Sequence, residues 1–209
     1  MENSTKAKEC YLILKLGKPQ EDGSFYYLDA VEEALCFGWI DSTAKNEDGI
    51  LYRRFSPRVK SSPWTELNKE RCRRLIKLGL MTKQGAKVLP PLGPRSYKID
   101  PDVEAALKKA RVYKTFKSFP PLYQRVRAYN VAFYKKLDKE MYQKALENLI
   151  KYTKKGEMFG FWNDYGRLLD YWFPYHRSRR EKYGAKNFVI GTGQTYGLIS
   201  SLAPILFKK

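Results

Sequence analysis

The stretch from Glu33 to Gly85 constrains the fold more than any other part of the chain. Trp39 to Thr43 and Ile50 to Phe55 are short alternating runs separated by Asn46, Glu47, Asp48 and Gly49. Alternation at period two around a turn rich in Asn, Asp and Gly predicts a β-hairpin. Upstream, Val31, Ala34 and Leu35 share one face of a helix expected over 28–37, with Asp29, Glu32 and Glu33 near its start and Gly38 ending it. Downstream, Ser62 as cap and Pro63 in the first turn predict a second helix that runs to Leu78 and stops at Gly79. Its expected apolar stripe is Trp64, Leu67, Cys72, Leu75, Ile76 and Leu78. The apolar run CYLILKL at 10–16 adds a short buried strand.

After a further helical turn within 81–88, Pro90, Pro91, Gly93 and Pro94 interrupt regular structure. Asp100 and Pro101 then start a helix carrying Val103, Ala106, Leu107 and Ala110, and Phe116, Phe119, Pro120 and Pro121 mark a turn. Two helices are expected over 122–136 and 139–154, the second capped by Asp138 and packed through Tyr142, Ala145, Leu146, Leu149 and Ile150. The expected class is α+β, a small N-terminal antiparallel sheet with helices followed by a helical C-terminal region. Its expected divisions are an α+β core at 1–89, a Pro/Gly-rich linker at 90–98, a basic helical region at 99–156, and an aromatic and basic extension at 157–209.

Within the opening stretch, Trp39, Asp41, Arg54, Arg58, Trp64 and Asn68 are the candidate ligand or interaction residues. Two readings stand: they line a polar pocket, or they brace a small sheet against a helix. Asp41 and Arg54 are placed to meet across the hairpin, as a structural pair or as part of an anion site. Lys69, Arg73 and Lys77 recur at spacing four, the pattern of a solvated helix face or of phosphate contacts.

The segments ALCFGWIDS, YRRFSPR, SPWTELN and LGLMTKQG resemble the YdeI/OmpD-associated, bacteriocin-protection-like family of small bacterial proteins. The resemblance runs from about Lys8 to Gly85, with a looser continuation to about Gly156. It implies a cytosolic protein with a non-enzymatic binding or stress-protection role against antimicrobial peptides. It supplies no catalytic residues.

Charge separates the chain into unequal parts: residues 1–58 hold 8 Lys/Arg against 10 Asp/Glu, and residues 59–156 hold 24 against 8. A basic body of this kind keeps a chain soluble, and it also attracts anions, whether a small anionic ligand or a phosphate backbone. Tyr113, Phe116, Tyr123, Tyr129 and Tyr134 interleave with those charges, a composition that suits nucleic-acid stacking and helix packing alike. Nucleic-acid binding by the helical half is therefore the second functional expectation.

An enzyme using Asp41 as base, with Arg54 or Arg58 clamping an anionic substrate, is the third. The single histidine, His176, has no neighbouring nucleophile in sequence, and GTGQTYG at 191–197 lacks the lysine of a phosphate loop. No metal or cofactor is expected, because Cys10, Cys36 and Cys72 show no close spacing; reduced thiols and the absence of a secretory start point to the cytoplasm. The uncharged run from Asn187 to Phe207 has the length of a tail anchor, but Gln194, Pro204 and three glycines make it a poor membrane span.

Overall fold

A computed structural model describes residues 6–169 apart from Glu21, Gly23 and Gly49. His176, the GTGQTYG run and the segment from Asn187 to Phe207 lie outside the described residues. The element order is β1 (Cys10–Ile13), α1 (Tyr27–Cys36), β2 (Trp39–Glu47), β3 (Ile50–Pro57), α2 (Glu66–Lys77), α3 (Lys83–Ala86), α4 (Pro101–Lys109), α5 (Tyr113–Ser118), α6 (Pro121–Tyr134) and α7 (Lys139–Lys154). An antiparallel sheet of order β1-β3-β2 followed by helices is the α+β class the sequence predicts. The described residues fall into two compact units, 6–62 with 74–89 and Pro63–Arg73 with Pro90–Leu169, so the division lies inside α2.

In the sheet unit, Cys10, Leu12 and Phe55 point to the buried side of the sheet, and Leu28, Val31, Leu35 and Cys36 of α1 are buried in the same unit. The hairpin is tighter than expected. Asn46 pairs with Leu51 and Glu47 with Ile50, leaving Asp48 at φ 51° in the turn. Ladder pairing wins here over the turn preference of Asn46, because extending the strands satisfies further backbone groups.

Gly38, at φ 76°, ends α1 as predicted. Beyond it the chain returns to the end of α1: Thr82 donates its hydroxyl to Cys36 O at 2.6 Å, and its Oγ1 accepts from Gly85 N–H at 3.1 Å. A Cβ on Gly85 would lie 2.2 Å from Cys36 O, so only glycine permits this approach.

In the helical unit, Val103, Leu107, Phe116, Tyr123, Val126, Leu146 and Leu149 form one core with Trp162 and Leu168, which follow α7. Asp100 caps α4 and Asp138 caps α7 through Met141 N–H at 2.8 Å. The short α5 is not foreseen by the sequence. It has no side-chain cap and holds its place by burying Phe116.

The start of α2 also differs from expectation. Thr65 Oγ1, not Ser62, accepts from the first turn, at Asn68 N–H (3.1 Å), while Ser62 Oγ accepts from Val59 N–H (3.2 Å). The stripe differs as well: Ile76 is 46% exposed, whereas Glu66, Asn68, Glu70 and Arg71 are buried. Among the described residues no helix is long and apolar enough to cross a membrane.

Candidate functional site

The hairpin residues find separate partners. Asp41 stands opposite Phe55, and its Oδ2 accepts from the Tyr27 hydroxyl at 2.7 Å. Arg54 stands opposite Tyr11 on the other face of the sheet, where its Nε donates to Glu9 Oε2 at 2.6 Å and Nη1 to Ser42 Oγ at 3.1 Å. The expected Asp41–Arg54 pair therefore does not form. A bulge between Asp41 and Ala44 sets the register, and adjacent strand residues point to opposite faces. Trp39 is buried, and Arg58 is 7% exposed with its backbone N–H bonded to Gly38 O at 2.9 Å.

In the helical unit, Trp64 is half-buried, and Asn68 is buried with its Oδ1 accepting from Arg71 Nη1 at 2.7 Å. Of the predicted phosphate row, Lys69 pairs with Glu66 at 2.6 Å. Arg73 pairs with Glu70 at 2.7 Å and donates to Leu92 O and Ser96 Oγ. Both cations are spent on their own unit, and Lys77 is exposed at the end of α2.

These contacts belong to an ionic cluster built on the first turns of α2. Arg71 grips Asp164 with Nε at 2.7 Å and Nη2 at 2.9 Å, a bidentate pair in which both side chains are buried. Arg125 of α6 donates to Glu70 Oε2 at 2.7 Å and lies 3.7 Å from Glu66 Oε2. Burial, with the charges of Glu66 and Asp100, pushes the Tyr97 hydroxyl well above the usual phenol range. Its four cations, Lys69, Arg71, Arg73 and Arg125, share three carboxylates, Glu66, Glu70 and Asp164, and each cation already faces an acid of its own unit.

The opposite arrangement occurs between α6 and α7. A half-open groove of about 420 Å³ is lined by Arg127, Asn130, Phe133, Tyr134, Asn148 and Phe159, with Val131 and Ala145 also bordering it. The Arg127 guanidinium lies 4.1 Å from the centre of the Phe159 ring, and Phe159 stacks on Tyr152 at 4.4 Å. Phe159 is anchored by its N–H, which donates to the Tyr123 hydroxyl at 3.4 Å. The guanidinium also rests against Gly160, where a Cβ would come within 2.8 Å of Nη1.

Among the described residues no carboxylate pairs with Arg127, and burial holds its pKa below the usual arginine range. A cation that is partly desolvated and unneutralised binds an anion more strongly than a surface lysine does. The sequence names Tyr134 among the interleaved aromatics and Ala145 as a packing residue, but does not single out the other lining residues. Their signal was the spacing of Arg127, Asn130, Val131 and Tyr134 at i, i+3, i+4 and i+7, which places them on one helical face.

Residues 1–88 match a family model described as a domain of unknown function (DUF8412). That match ends before the groove. No curated protein and no solved structure matches the chain.

Proposed function

We propose that the protein is a non-catalytic binding protein whose helical unit engages nucleic acid. The observation that carries this reading is Arg127, a guanidinium held on an aromatic ring in the α6–α7 groove and met by no carboxylate among the described residues. The unit around it supplies the long-range attraction, since Pro63–Arg73 and Pro90–Leu169 together hold 20 Lys/Arg against 10 Asp/Glu. A phosphate backbone meets both features, a diffuse positive field and a local directional donor.

Protection against cationic antimicrobial peptides, implied by the YdeI/OmpD-associated resemblance, fits less well because a formal charge of +18 repels such peptides. The enzyme reading is also weakened, since Asp41 is bonded to Tyr27 and Arg54 to Glu9. A reducing cytoplasm is the compartment that suits this role, and the three buried thiols are compatible with it.

Fluorescence anisotropy with a labelled mixed-sequence oligonucleotide tests the reading. Affinity should fall steeply and log-linearly as salt rises. Absence of binding at low salt removes the reading.

A further inference from the structure

We propose that the α6–α7 groove receives one unpaired nucleotide of a single-stranded nucleic acid, with its base against the aromatic wall and its phosphate on Arg127. This rests on the nucleic-acid reading above and names the form of nucleic acid that the groove selects.

Three observations support it together. The volume of about 420 Å³ suits one small planar group with its attached anion, and it lies in the range of sites for single small molecules, roughly 300–1,000 Å³. The wall contains Phe133 and Tyr134, and Phe133 is 46% exposed, so aromatic surface is open to a base. Phe133 is itself stacked on Tyr129 with centroids 6.2 Å apart, which holds its ring in place.

Asn130 and Asn148 then bring amides to the same groove from α6 and α7. Each amide offers both donors and an acceptor, the complement of a base's pairing edge. In a duplex those edges are paired and the ring faces are stacked on neighbours, so the groove can use neither. Arg127, fixed against Phe159 and Gly160, supplies the charged contact among the described residues that line the groove.

The occupant is a nucleotide within a strand and not a free mononucleotide. A free nucleotide would gain the groove alone, whereas a strand also meets the field of the unit's exposed lysines, among them Lys151 and Lys154 near the end of α7.

The test uses the full chain with a single-stranded 12-mer, the duplex of the same sequence, and a mononucleotide of the same base. Phe133→Ala and Asn148→Leu are compared with wild type, and melting curves confirm that each is folded. The expected result is single strand bound about tenfold more tightly than duplex, with the preference reduced toward unity in both variants and the salt slope preserved. Mononucleotide should bind far more weakly than the strand. Equal binding of strand and duplex, or a preference unchanged in the folded variants, overturns this inference and leaves the nucleic-acid reading in place. Mononucleotide binding as tight as strand also overturns it, in favour of a small-molecule site. Failure to bind any of the three overturns both.

Discussion

Arg125 and Arg127 stand two residues apart on α6 and belong to regions of the helical unit that treat charge in opposite ways. Arg125 enters a cluster in which Glu66, Glu70 and Asp164 pair with Lys69, Arg71, Arg73 and Arg125 itself, Glu70 serving two arginines. Arg127 enters a groove lined by amides and rings, where no carboxylate meets it among the described residues. The same residue type is structural in one setting and available for binding in the other. Local matching of acids, more than the number of arginines, decides which role each takes.

If the cluster is structural, breaking it should cost stability and leave binding by the folded protein intact. Arg71→Met strands the Asp164 carboxylate, which is 2% exposed, and should destabilise the chain by about 3–5 kcal/mol in denaturant titration. A loss below about 1 kcal/mol would show that the pair is not the brace described here.

Gly160→Ala tests how the groove positions its cation. At φ 70° a side chain costs about 1–2 kcal/mol, and the new Cβ would press on the Arg127 guanidinium. Nucleic-acid affinity should fall together with stability. A drop in melting temperature with unchanged affinity would break the link between Gly160 and Arg127.

Thr65→Ala removes only the cap of α2, next to the cluster. About 1 kcal/mol of stability should be lost, with no change in binding.

The smallest effect concerns the sheet unit and serves as a control on the comparison. Burial, reinforced by the Glu9 charge, pushes the Cys10 thiol up to about 12, against ~8.5 for an exposed thiol. The stability this contributes is present below pH ~8.5 and is lost as pH rises toward 12. Cys10→Ala should flatten stability against pH in that window without affecting binding at neutral pH. An unchanged slope would mean that other groups set it.

The legibility of these features follows the range of the interactions behind them. Helix α7 is readable to the residue, because Asp138 and the spacing of Leu146, Leu149 and Ile150 are local signals. The hairpin is readable, but its register is not. The bulge that puts Asp41 opposite Phe55 depends on how three strands pair. Helix α5 escapes because its stability lies in the burial of Phe116, and the acids and arginines of α2 look like a solvated face until Asp164 and Arg125 reach them. The open face of α6 is legible as a spacing, but its opening depends on how Phe159 and Gly160 return after α7.

The central claim is that Arg127 is the charge kept available for a phosphate. The most direct measurement is the affinity of folded Arg127→Gln for single-stranded nucleic acid at several salt concentrations, beside wild type. The account predicts an affinity roughly tenfold lower and a log–log salt slope reduced by about one, with melting temperature unchanged. Wild-type affinity and slope in the folded variant would contradict it.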